Sequence, residues 1–407
     1  MSKYFIFHDT PMKRKKVFVP VIMYHTIGNP NNQWRHNRLT CPYQLFESQL
    51  KWLKNKHFQS ISLQQLYDYM SQGKSIPKNS IVLTFDDGYL DNWVFAYPLL
   101  KKYGFSGTLY INPDFVEQRK DWRKTLDDVW EKKIKLDQLQ TTGFLSWDEL
   151  KKMNNDGIMD VQSHTLTHAL YFKNNTIIDF RHPGDSYIWM TWNNHPTKKP
   201  YLQIDQENLI SYGEPVYEYG KALEVKRFFP DPRVSQYLVS SVNTMGGKEF
   251  FQQPDWKKKL LELAQSFKKE NELNERYETE EEYDNRIRFE LQRSKEIIEK
   301  QLNKTVHFLC WPIGAATQKA VDISFDVGYL SSTVASDMKR DERRRKKNTF
   351  GEDPSRIYRI GAGLYRRGSK GYQYNNGLVF LLSLYDFQQR IIIGKISKMI
   401  LIGITKL

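Results

Sequence analysis

The chain has 407 residues, 40% of them hydrophobic and 14% aromatic, enough apolar side chain for one large or two ordinary cores, which excludes a disordered chain. Lys and Arg number 61 against 47 Asp and Glu, a formal net charge of +14 that favours anionic partners such as nucleic acid, an anionic membrane surface or an acidic glycan. Two cysteines, Cys41 and Cys310, make no disulfide framework and lack the spacing of structural zinc ligands, so a reducing compartment fits.

In chain order, the basic run 13–16 precedes an apolar stretch, 17–24, that is short and lacks a small-residue cleavage site; it reads as a first buried strand rather than a leader. Further strands are expected at 81–85, 107–111 and 158–162. Between them, Phe46, Leu50 and Leu53, then Phe95, Leu99 and Leu100, recur at the spacing of helices with one buried face. Ser146 and Glu149 form a capping box. Such alternation is the pattern of βα units around a parallel sheet or barrel.

After His168 the alternation stops for roughly a hundred residues, a length that points to a functional insertion, placed at about 171–285. Its aromatics, Tyr187, Trp189, Trp192, Tyr201, Tyr212, Tyr217, Phe228 and Phe229, are expected to build a mini-core, with sugar-stacking walls as the alternative. The βα pattern resumes with a charged helix carrying Ile287, Leu291, Ile298 and Leu302 on one face, then strands at 306–311, 329–334 and 357–360. The stretch 337–353, with the basic run 343–347, reads as a solvated charged loop rather than a binding patch. The apolar, basic tail 376–407 is interrupted by Asp386, Arg390, Lys395 and Lys398, so it does not span a bilayer; it packs on the domain or lies on an anionic membrane. No nucleic-acid module accompanies the basic runs, and nucleic acid is not an expected partner.

Two motifs carry chemistry. Asp86, Asp87 and Gly88 follow the second strand, where successive side chains diverge, so one carboxylate can ligate a divalent metal while its neighbour acts as a base on water. A helix cap and a turn residue are the alternative roles for that pair. His164 and His168, after the fourth strand, share one side if the segment turns helically. One carboxylate and two imidazoles suffice to hold a catalytic divalent metal with open positions.

In these motifs the chain resembles the polysaccharide deacetylase family, also called the NodB-homology or carbohydrate esterase four family. Its Asp-Asp-Gly strand end and His-x-x-x-His are matched by Asp86, Asp87 and Gly88 and by His164 and His168. The resemblance covers 17–168 and resumes over about 286–360. It implies an α/β fold, a distorted (β/α) barrel with about seven parallel strands and a large insertion, in a single domain over 1–375. It also implies metal-dependent removal of acetyl groups from N-acetylated or O-acetylated sugars, with Asp86 as base and Asp87, His164 and His168 holding one divalent ion, expected to be Zn2+.

The family's third motif, Arg-x-Pro-x-Gly, corresponds to Cys310, Trp311, Pro312, Ile313 and Gly314, so its arginine is missing. Arg359, at the end of a late strand, is the candidate replacement, and Trp311 and Pro312 are expected to contact substrate. The family's late Leu-x-His has no counterpart after His307. Met23, Tyr24 and His25 instead resemble the biofilm-polysaccharide branch, where circular permutation places the catalytic histidine early, which implies His25 as general acid. His8, His36, His57, His182, His195 and His307 read as structural or exposed. The expected substrate is an N-acetylated glycan or glycoconjugate precursor; a non-catalytic glycan-binding scaffold and hydrolysis of another non-peptide amide are the alternatives. With no evident export signal, the expected location is cytoplasmic, with peripheral membrane contact.

Overall fold

A computed structural model describes residues 16–29, 39–204, 206–362, 364–366 and 372–374, and residues 380, 384 and 387. Its central sheet contains β1 (Val21–Tyr24), β2 (Ser80–Phe85), β3 (Gly107–Ile111), β4 (Met159–Ser163), β5 (Phe308–Leu309), β6 (Ser331–Thr333), β7 (Arg356–Ile357) and β8 (Ile360–Gly361). They run in the order β7-β6-β5-β4-β3-β2-β1-β8, and every pair is parallel. The edge strands β7 and β8 are two pieces of one segment, separated by Tyr358 and Arg359. Its first half pairs with β6 and its second with β1, so both edges of the curled sheet meet on it. This is a distorted (β/α) barrel, with a kink at the seventh strand position.

The barrel strands are apolar and β-branched because both faces are covered, as the wholly buried Ser80–Phe85 strand shows. Outside them pack α1 (Tyr43–Asn55), α2 (Leu63–Gln72), α3 (Tyr97–Tyr103), α4 (Trp147–Asn155), α5 (Glu280–Leu302) and α6 (Gln318–Asp326). Phe46, Leu50 and Leu53 of α1 and Ile287, Leu291, Ile298 and Leu302 of α5 join one core with Phe85, Leu109, Val161 and Leu309. The Ser146 hydroxyl accepts from the Glu149 N–H, and the Glu149 carboxylate accepts from the Ser146 N–H. Ser146→Ala removes the acceptor of this cap and should cost about 1 kcal/mol, read as a lower urea midpoint at unchanged slope.

Several boundaries differ from expectation. The first strand starts at Val21 because the residues before it bond elsewhere: the Val19 N–H donates to the Lys347 carbonyl, and the Val19 carbonyl accepts from Asn348. The predicted 306–311 strand contracts to β5, and 357–360 divides into β7 and β8. Residues 337–353 are not loop throughout. A short helix, Arg340–Arg345, forms there, in a stretch of long unbranched side chains with good helix propensity.

The insertion holds an antiparallel strand pair, Leu170–Phe180 with Pro215–Lys221, and the helices Ile188–Asn194, Pro232–Thr244 and Trp256–Glu270. Its mini-core joins Phe180 and Phe250 to the aliphatic Val234, Leu238, Val242 and Leu260. Of the basic run 13–16, residues 13–15 lie outside the described residues, as does most of the tail 376–407. The described tail residues Phe380, Leu384 and Phe387 are buried, the first two in the barrel core. Among the described residues no helix is long and apolar enough to cross a membrane.

Candidate active site

The chemistry-bearing residues collect at one end of the barrel, where each strand hands over to its following loop. His25 follows β1, Asp86 and Asp87 follow β2, Asn112 follows β3, His164 follows β4, Cys310 and Trp311 follow β5, and Arg359 follows β7. The carboxyl end of parallel barrel strands is where side chains from distant segments converge. All of these residues except Cys310 line a cavity of about 680 Å³.

Asp86 and Asp87 have separate surroundings, as divergence at a strand end requires. The Arg359 guanidinium grips Asp86 with both arms, Nη1 donating to Oδ1 at 2.7 Å and Nη2 to Oδ2 at 2.9 Å. Burial works against the Asp86 carboxylate, but the Arg359 charge and hydrogen bonds outweigh it and hold the group below its ordinary range. Arg359 Nη2 also donates to Cys310 Sγ at 3.0 Å. The cysteine is small enough to leave room for a guanidinium arriving from the segment between β7 and β8. His25 Nε2 stands 3.9 Å from Asp86 Oδ2.

Asp87 faces the two other histidines. Its Oδ1 lies 3.1 Å from His164 Nε2 and 3.6 Å from His168 Nε2, and the three atoms fall within 4.8 Å of one another. Asp87 Oδ1 is buried without a hydrogen-bond partner among the described residues. An orphaned carboxylate oxygen aimed with two imidazole nitrogens at one point fits a divalent cation. The His164 ring is oriented for that role, because its Nδ1 lies 2.8 Å from the Cys310 carbonyl, the bond that leaves Nε2 free to ligate. Burial works against ionisation of Asp87, but the neighbouring His164 imidazole outweighs it and holds its carboxyl far below the ordinary range. Burial pushes the His168 imidazole down, favouring the neutral, ligating form. For His164 burial acts in the same sense but is outweighed by its neighbours Cys310 and Asp87, so its affinity for a proton rises. Proton and metal ion compete for that one nitrogen.

The histidines converge by a different route from the expected helical turn. No helix forms after β4; Thr165 and His168 instead take left-handed backbone conformations, φ 64° and 51°, and Asp87 does the same at φ 72°. Each such non-glycine residue costs on the order of 1 kcal/mol or more and persists only where its surroundings enforce it. Three residues supply the enforcement. Asn112 Nδ2 donates to the carbonyls of His164 and Thr165. Glu290 accepts from the Thr167 N–H at 3.0 Å and its hydroxyl at 2.6 Å. Lys199 Nζ donates to the Thr167 carbonyl and to Asp114. Sequence reasoning missed all three; only Asn112, a polar residue just past a barrel strand, left a readable signal.

Of the two expected substrate contacts, Trp311 lines the cavity and Pro312 does not. Pro312 turns towards Ala222 and Leu223 of the insertion, while Ile313, at φ 53° and 60% exposed, takes the position on the wall. Trp189 and Trp192 of the insertion pack in small aromatic clusters, as the mini-core expectation has it, and also line the cavity, as the alternative of aromatic walls has it. His57, His182, His195 and His307 do not line it, and His8 and His36 lie outside the described residues.

Residues 73–207 match the polysaccharide deacetylase family model. The chain is 28% identical over 154 residues to YxkH of Bacillus subtilis (strain 168), named as a polysaccharide deacetylase, covering 38% of this chain and 44% of that protein. It is also 28% identical over 214 residues to the poly-beta-1,6-N-acetyl-D-glucosamine N-deacetylase of Staphylococcus aureus (strain MRSA252), covering 48% of this chain and 66% of that enzyme. Both matches span less than two thirds of the relative's length. Among solved structures, a de-N-acetylase from Aggregatibacter actinomycetemcomitans overlays with a TM-score of 0.47 at 20% identity, covering 78% of this chain and 87% of that one. The sequence match begins just before β2 and contains Asp86, Asp87, His164 and His168, so the part of the chain that carries these four residues is similar to the polysaccharide deacetylase family.

Proposed function

We propose that this barrel is a metal-dependent carbohydrate deacetylase that hydrolyses the acetamido group of an N-acetylated sugar in a glycan or glycoconjugate precursor. The reading is carried by one observation: a metal-ligand set, Asp87, His164 and His168, lies beside an arginine-held carboxylate, Asp86, and a histidine 3.9 Å from it, His25. A divalent cation on the three ligands, zinc by their chemistry, would polarise the acetyl carbonyl and acidify water enough for a weakly basic carboxylate to deprotonate it.

Asp86 takes a proton from the attacking water as the new carbon–oxygen bond forms. Arg359 keeps that carboxylate ionised and fixes its direction, and Arg359 in turn donates to Thr84 Oγ1 at 3.2 Å. His25 gives its proton to the departing nitrogen as the carbon–nitrogen bond breaks, which yields acetate and a free amino sugar. Trp189, Trp192 and Trp311 provide aromatic walls against which a sugar ring packs.

The test is bound metal together with acetate release, measured on wild type and His168→Ala purified without chelator. Elemental mass spectrometry should find close to one divalent ion per wild-type chain and almost none in the variant, with acetate release from N-acetylglucosamine oligosaccharides lost in parallel. A wild type that holds no metal even after reconstitution, yet binds the oligosaccharides without turnover, would sink the enzyme reading in favour of a glycan-binding scaffold.

A further inference from the structure

Two arginines beyond the machinery above also line the catalytic cavity. Arg340 and Arg343 are three residues apart, on one side of the Arg340–Arg345 helix, and both contribute to the wall. Neither guanidinium forms an ion pair among the described residues. The acidic residues of the same helix, Asp341 and Glu342, are exposed and do not line the cavity.

The helix is held against the barrel end at both its termini. Before it, Asp337 receives both arms of Arg356, Nη1 to Oδ2 at 2.5 Å and Nη2 to Oδ1 at 2.7 Å, and the Ser336 N–H donates to the carbonyl of the wall residue Gly314. After it, the Lys347 N–H donates to the Glu352 carboxylate, and Asn348 Nδ2 donates to the carbonyls of Val19 and Tyr358. The two guanidiniums are therefore presented by a fixed element rather than a loose loop.

Among the described residues, the acidic side chains lining the cavity are Asp86 and Asp87; the first is neutralised by Arg359, and the second is a candidate metal ligand. Arg340 and Arg343 are left as surplus positive charge, a repulsive arrangement that a neutral acetylated sugar does nothing to relieve. Guanidinium pairs match the geometry of carboxylate and phosphate oxygens.

We propose that Arg340 and Arg343 form an anion subsite, so that the sugar is deacetylated within an acidic glycan bearing a carboxylate or phosphate close to the reacting acetamide. This rests on the deacetylase reading and extends it to the substrate's charge. The pair acts in binding and specificity and takes no part in the bond-breaking step.

The experiment compares three acetylated tetrasaccharides at low salt: neutral chitotetraose, its 6-phosphorylated form, and alternating N-acetylglucosamine and glucuronate. Wild type should favour at least one anionic member over the neutral one by roughly tenfold or more in kcat/KM, and salt should erode the preference. Which member is favoured separates a phosphate from a carboxylate source. In the Arg340→Gln/Arg343→Gln variant the ratio should fall to near one, whereas Arg288→Gln/Arg293→Gln, which removes the same charge from the exposed face of α5, should keep it. A wild-type ratio near one, or the same ratio in the cavity double variant, overturns the proposal. Should none of the three release acetate, calorimetric binding decides: anion-selective binding lost in the cavity double variant upholds the subsite and overturns only the deacetylase reading, while equal binding of all three overturns the subsite.

Discussion

Asp86→Asn is expected to keep the fold and the metal while losing acetate release by about 10²–10⁴-fold, the usual worth of a positioned general base. The substitution preserves the shape of the side chain and one oxygen for Arg359, but the amide has no lone pair basic enough to take the proton from water. It also lies outside the set Asp87, His164 and His168; in the other cluster of ligand-type groups among the described residues, Asp86, His164 and Cys310, the carboxylate is already taken by both arms of Arg359. Metal content by elemental mass spectrometry should therefore stay near the wild-type value as kcat falls. Unchanged turnover would remove Asp86 from the base role, and parallel loss of metal would make it a ligand instead.

Arg359→Met should have the largest effect on stability. Asp86 is 3% exposed, and its two oxygens are taken by the guanidinium. Breaking a buried pair from one side leaves an uncompensated charge and typically costs about 3–5 kcal/mol. The sign of the pH dependence follows from the direction of the shift. In the wild type the folded-state pKa of Asp86 lies below its unfolded value, so the pair stabilises above the unfolded pKa, and that contribution is lost as pH falls through the folded one. Without Arg359, burial dominates and the pKa moves up, so the variant loses stability as pH rises. The gap in urea midpoint between wild type and variant should be wide at neutral pH and should narrow in acid. Arg359→Met/Asp86→Leu, which removes both charges of the pair, should recover most of the loss. A gap that stays constant with pH would show that Arg359 stabilises by packing and not by charge.

The central strands were legible because a strand covered on both faces must be a continuous apolar, β-branched run. Residues 81–85 and 107–111 have that character and little else to become. The late strands were legible in place but not in extent, since two- and three-residue strands have too few positions to show a period. The Asp86–Asp87 division could be read from strand geometry alone. The convergence of His164 and His168 could be read as a spacing but not as a mechanism: it depends on left-handed backbone at Thr165 and His168, enforced by Asn112, Glu290 and Lys199, which are distant in sequence.

By itself, then, the sequence determined the alternation of strands and helices, the acid pair, the histidine pair and the absence of an arginine at position 310. Each of these is local, settled by residue type and spacing along a few positions. The tertiary structure decided that Arg359 comes to Asp86 past Cys310, that Ile313 rather than Pro312 meets the cavity, that the insertion contributes Trp189 and Trp192, and that Arg340 and Arg343 stand over the site. Those outcomes depend on where the barrel closes, at a kink that carries Arg359 between strands paired to opposite edges of the sheet. Closure of this kind joins residues hundreds of positions apart, and it is set by the summed packing of the whole core rather than by any pattern within one segment.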